Sequence, residues 1–335
     1  MSPMSVNRLR GLALLPLLAI LAGCKAVLLN PPGDVARQQS DVMITSVVLI
    51  SLIIVPVLVA IGVIAWRYRA SNRKARYQPD WEHSSQLELV VWAAPLLIII
   101  ALGAVTWIGT HQLDPYRPLS RVDDGSLINY KARALEIEVV SLDWKWLFFY
   151  PQYGIATVND VAAPVKVPIH FKLTSSRMMN SFFVPALVGQ IYTMAGMQTE
   201  LHAAIEKPGV YKGFSANYSG LGYTDMRFTF RALSRKGFEK WIAKARASGH
   251  VLSLPAYRKL VEPSRNVPAE YFSTYASGLY HRILNMCTLP GQVCMDKMMA
   301  ADARRNQWGP EASKKSQARS VSTEPQSQTR ESSAH

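Results

Sequence analysis

The chain has 335 residues, with 37 Lys and Arg against 23 Asp and Glu, giving a net charge of +14. Hydrophobic residues make up 49% and charged residues only 18%, below the roughly 25% usual for soluble domains, so a wholly soluble cytoplasmic protein is excluded. The basic excess is thin and spread out, with its largest share between residues 233 and 300, and it forms no Lys/Arg stripe of the kind that tracks a phosphate backbone.

In chain order, Arg8 and Arg10 precede an apolar stretch from Leu12 to Leu21, which suits the core of a signal peptide and is too short to span a bilayer. It ends in Leu21-Ala22-Gly23-Cys24, which resembles the lipobox of bacterial lipoproteins. Residues 1–23 are therefore expected to be a signal peptide, with Cys24 as a lipid-modified mature N-terminus. A spacer over 24–41 follows. Val42 to Trp66 and Leu89 to Thr110 carry no charge, and each exceeds the roughly 20 residues needed to cross a hydrocarbon core. These predict transmembrane helices over 42–66 and 88–110. The loop between them, 67–87, holds Arg67, Arg69, Arg73, Lys74 and Arg76. A short basic loop stays in the cytoplasm, which places both termini outside.

Beyond residue 111 the pattern changes. Val165, Val167, Ile169, Phe171 and Leu173 alternate with polar or turn-forming neighbours, and Leu135–Leu142 and Met226–Ala232 do nearly the same. A period of two with turn residues between segments predicts an antiparallel sandwich or barrel. Ser234 is placed to cap a helix whose apolar face is Phe238, Trp241, Ile242 and Ala245. Residues 233–308 read as a helical, aromatic-rich segment. From 309 to 335 there are seven serines and no aromatic residue, a composition that cannot bury a core and predicts a disordered tail.

Several separated motifs then stand in one order: Glu88 ahead of Trp92 and Pro95, the aromatic run Asp143–Pro151, Ser175 through Pro185, Pro208–Tyr211, and Gly213 through Met226. With the two-span hairpin they resemble subunit II of the haem–copper respiratory oxidases. The resemblance covers roughly residues 40–245. It implies that 111–232 is an exported cupredoxin-like barrel, in a fold that is otherwise a transmembrane α hairpin plus a short helical C-terminal segment.

In the cytochrome c-oxidising members that barrel holds a dinuclear copper centre on two His, two Cys, a Met and a Glu carbonyl. At the matching positions this sequence has Asn180, Ser215, Asn217, Ser219 and Tyr223, and keeps only Met226. Hydroxyls and amides hold copper poorly. The chain is therefore expected to carry no metal or other cofactor and to resemble the copper-less, quinol-oxidising branch, the cytochrome o ubiquinol oxidases. Haems and a copper ion are then expected in subunit I, ubiquinol is the substrate of the complex, and oxidase subunits I, III and IV and membrane lipid are the partners, with no cytochrome c and no nucleic acid. The expected location is the bacterial inner membrane, with the barrel in the periplasm. The alternative is a stand-alone membrane lipoprotein whose β domain binds a partner or ligand.

Three further expectations concern single residues. Glu88, at the cytoplasmic start of the second span, matches a family position near a proton-uptake channel and is a proton-entry candidate. Trp144 and Trp146 are expected to pack against subunit I. Cys287 and Cys294 lie in an exported region and are disulfide candidates. His83, His111, His170, His202, His250 and His281 look scattered, none paired at ligand spacing, and no catalytic triad or phosphate loop is present.

Overall fold

The computed structural model describes residues 27–76, 80–119 and 134–304. Cys24, the signal-peptide stretch and the serine-rich tail lie outside them.

Two long helices come first: α1, Asp34–Arg67, and α2, Ser85–Gln112. They pack on each other where Gly109 lets Val42 approach. Their apolar side chains point outward, as at Leu58, Leu89 and Trp92, so both are long and apolar enough to cross a membrane. The expected spacer over 24–41 needs correcting. Its last eight residues are the first turns of α1, and they are seated on the β domain. The polarity of residues 34–41 hides this, because these turns dock through buried Asp34, Val35, Ala36 and Ser40 instead of a broad apolar stripe.

The β domain is two packed sheets. One has six strands: β1 (Leu135–Leu142), β2 (Lys145–Tyr150), β3 (Ile155–Val158), β5 (Ile169–Ser175), β8 (Thr199–Ala203) and β12 (Glu270–Phe272), in the order β12-β3-β2-β1-β5-β8. The other has five: β4 (Asp160–Pro164), β6 (Asn180–Val184), β7 (Val188–Thr193), β9 (Gly209–Ser215) and β10 (Arg227–Leu233), in the order β4-β10-β9-β6-β7. Parallel pairs β1/β5, inside the larger sheet, and β4/β10, at an edge of the smaller, interrupt an otherwise antiparallel set, a cupredoxin-like arrangement in place of a simple meander. The strand expected from Val165 starts only at Ile169, because Val165 and Lys166 turn the chain from one sheet to the other, with Lys166 at φ 59°.

Between the sheets lies an aromatic core in which Trp146, Phe148, Phe182 and Phe228 meet ring against ring. A second apolar layer covers the other face of β1, β2 and β3. Beyond β10 the chain forms α3 (Arg235–Arg246), which joins the first core, then β11 (Val251–Leu252), α4 (Leu254–Val261), β13 (Thr274–Tyr275) and α5 (Leu279–Leu284), which supply this second layer, and last α6 (Met295–Arg304). With both faces covered, β2 is buried at every position, which explains why Lys-Trp-Leu-Phe-Phe-Tyr shows no alternation.

Ser234 caps α3, its hydroxyl accepting from the Gly237 N–H at 3.2 Å, and the four apolar residues read from the sequence are the buried ones. The segment over 233–308 is not purely helical. Glu270–Phe272 pairs with β3 and completes the larger sheet, so the segment is part of the sandwich. Cys287 and Cys294 are joined as a disulfide between α5 and α6.

Candidate functional site

The six positions matching the copper ligands converge on one end of the smaller sheet. Asn180 opens β6, Ser215 closes β9, and the loop from 216 to 226 carries the rest. The Ser215 hydroxyl donates to Asn180 Oδ1 at 3.2 Å, and its backbone N–H to the Met226 carbonyl at 3.0 Å. Asn180 Nδ2 donates to the Met178 carbonyl, and Asn217 Nδ2 to the Met179 carbonyl at 3.3 Å. Tyr223 packs edge-on against Tyr218, and Met226 is fully buried in the core. The Ser219 hydroxyl is buried and makes no hydrogen bond among the described residues.

Neutral hydroxyls and amides, mostly bonded to one another or to the backbone, replace the soft thiolates and imidazoles that hold copper. The donor set does not fit a dinuclear copper centre.

Trp144 closes the site. It stands in the two-residue turn between β1 and β2 at φ 71°, unusual for a bulky residue, and its indole N–H donates to the Ser219 carbonyl at 3.0 Å. A Cβ at Gly222 would lie 2.3 Å from the indole, so only glycine permits this close stacking. Trp146 is placed differently. It has no exposed surface and packs between the sheets, so it has nothing left to bury against a partner. The expectation of an intersubunit contact therefore passes to Trp144 alone.

Glu88 lies in the first turn of α2, half exposed, with Oε1 2.6 Å from His83 Nδ1. The histidines are less scattered than their spacing suggests. His170 and His202 face each other across β5 and β8 and stack at 4.4 Å, with Glu200 beside them. No sequence signal gives this pair, since its 31 intervening residues are bridged only by strand register.

Burial beneath the C-terminal segment pushes the Glu138 carboxyl up to about 7, reinforced by Glu136 and opposed by Lys172. The folded state then holds a proton that the unfolded chain releases near 4.5. This contribution to stability is complete below the unfolded value and is lost as pH rises through about 7. Thermal melts of the detergent-solubilised chain should therefore fall more steeply between pH 5 and about 7.5 for wild type than for Glu138→Gln. Parallel slopes would contradict the assignment.

The geometry defines a class: a cupredoxin-like domain carried on a membrane-capable helical hairpin, with hydroxyls and amides at the positions that match the copper ligands. Residues 246–291 match the family model described as the COX Aromatic Rich Motif. Cytochrome bo(3) ubiquinol oxidase subunit 2 of Pseudomonas aeruginosa is 48% identical over 82% of this chain and 80% of its own length. Ubiquinol oxidase subunit 2 of Acetobacter aceti is 44% identical over 79% of this chain and 84% of its own. The periplasmic domain of subunit II of cytochrome oxidase from Bradyrhizobium japonicum, a crystal structure, covers 34% of this chain and 95% of its own at 21% identity and a TM-score of 0.33. The chain belongs to the ubiquinol oxidase subunit 2 family, a component of an oxidoreductase complex. That membership favours the oxidase reading over a stand-alone lipoprotein.

Proposed function

We propose that this chain is the subunit of a proton-pumping terminal ubiquinol oxidase that carries no redox centre of its own. The observation that carries this is the filling of the copper-ligand positions by Asn180, Ser215, Asn217, Ser219 and Tyr223 in a chain of that family. Ubiquinol is oxidised and dioxygen reduced to water by haems and a copper ion in subunit I. This chain contributes assembly and stability, with subunits I, III and IV as neighbours. The basic loop after α1 supports a bacterial cytoplasmic-membrane topology with the sandwich on the periplasmic side, and the Leu-Ala-Gly-Cys24 run supports a lipid on Cys24. Trp144 packs against subunit I, and Glu88 assists proton entry from the cytoplasmic side.

The purified complex should oxidise ubiquinol and leave reduced cytochrome c untouched, with copper at one per complex. Cytochrome c oxidation together with two additional coppers would overturn the reading. In the same preparation Glu88→Gln should slow turnover several-fold with unchanged haem spectra. Unchanged turnover and pumping would remove Glu88 from the path.

A further inference from the structure

We propose that His170, Glu200 and His202 form a binding site for one borderline divalent transition-metal ion of the zinc class, separate from the vacated copper positions. The three side chains project from the outer face of the six-stranded sheet, where β8 is the edge strand. Cross-strand register puts His170 opposite His202, and Lys172 opposite Glu200. Their potential ligand atoms all lie within 4.8 Å of one another, and His170 Nε2 is already 3.0 Å from Glu200 Oε2. A metal held at about 2.0–2.2 Å needs ligand atoms roughly 3.3 Å apart, so side-chain rotations of about an ångström complete the set. Glu200, about a third exposed, has the room to make them, while His202 is buried against the outer face of the sheet.

The surroundings favour this charge and these donors. Two imidazoles with one carboxylate are a zinc-type set that leaves a fourth position for water. Lys172, which would compete for Glu200, instead donates to Glu136 at 2.8 Å. Gln198 Nε2 lies 3.4 Å from Glu200 Oε1, a contact of the outer-shell kind that orients a ligating carboxylate. The backbone N–H of His202 donates to the Pro115 carbonyl at 3.3 Å, so the site lies at the sheet edge beside the end of α2. Bound metal would add a cross-link between β5 and the edge strand β8.

The test uses the purified oxidase complex, stripped with chelator and titrated with zinc against a chromophoric competitor. Cobalt then serves as a spectroscopic probe of the same site. Wild type should take up one zinc equivalent that Glu200→Gln weakens more than tenfold and His170→Asn with Glu200→Gln abolishes. In cobalt-loaded minus metal-free difference spectra, where the haem absorption cancels, wild type should show bands of tetrahedral intensity that the double variant loses. Melting temperature in the absence of metal checks that the variants are folded, and zinc should raise it in wild type alone. Equal zinc stoichiometry and affinity in wild type and the double variant would overturn the proposal. So would the absence of cobalt bands in folded wild type.

Discussion

Replacing Asp160 by alanine should destabilise the sandwich by about 3–5 kcal/mol and leave little subunit in the membrane. Asp160 opens β4 and has no exposed surface. Its carboxylate accepts from Arg231 Nε at 2.7 Å, Trp241 Nε1 at 2.9 Å and the Tyr271 hydroxyl at 2.8 Å. Those donors come from β10, from α3 and from the strand that completes the larger sheet, so one carboxylate joins three separate stretches of chain. Alanine leaves the indole and phenol donors without their acceptor, and it strands a guanidinium that is only partly solvated. Asp160→Asn keeps the shape but turns a donor toward donors, and should fall between the two. Pulse proteolysis of the solubilised chain, with immunoblots of membranes, reads the effect. An alanine variant with the wild-type unfolding midpoint would contradict the ranking.

Gly33→Ala is the second large effect. At this position the chain leaves the sandwich to start α1, in extended conformation, its N–H donating to the Ala186 carbonyl at 2.9 Å. A Cβ here would sit 2.3 Å from the carbonyl oxygen of Leu187 and 2.7 Å from its Cα. Both are backbone atoms and cannot rotate away, so the helix start must lift off the sheet. The docking contacts, including the Arg37–Glu206 ion pair at 3.0 Å, are then strained together. Overpacking of this kind costs about 1–3 kcal/mol, and the lost seating adds to it. The expected result is a subunit still inserted in the membrane but cleaved at the helix–sandwich junction by limited proteolysis, with reduced oxidase assembly. Gly62→Ala, in the same helix with nothing within 4 Å of its added Cβ, is the control and should be silent. Identical behaviour of the two variants would refute the account.

What the sequence disclosed follows physical lines. Apolar runs and a basic loop report on the bilayer, a solvent with one requirement, and so both helices could be read directly. Period-two alternation revealed β1, β5 and β10 because each has one face toward the core and one less buried. It failed at β2, covered on both sides, so the burial of Trp146 was not legible and the resemblance alone placed it with Trp144 at a subunit contact. Asp160 carried no sequence signal, since burial of a charge leaves no local signature. The six positions matched to the copper ligands stand within motifs that keep their order, and the structure brings them to one end of the smaller sheet. His170 and His202 could not be paired from sequence, because β5 and β8 become neighbours only through the sandwich topology.

One consequence lies in the continuity of α1. Its 34 residues make a rod of about 51 Å, against a hydrocarbon core of about 30 Å, and one end is clamped to the sheet. A clamped rod converts tilt into displacement: leaning by about 5° carries its end sideways by roughly 4 Å. Spans lean to match the lipid around them, more in thin bilayers and less in thick ones. Any change in the tilt of α1 is thus passed to the sandwich as a change of its attitude.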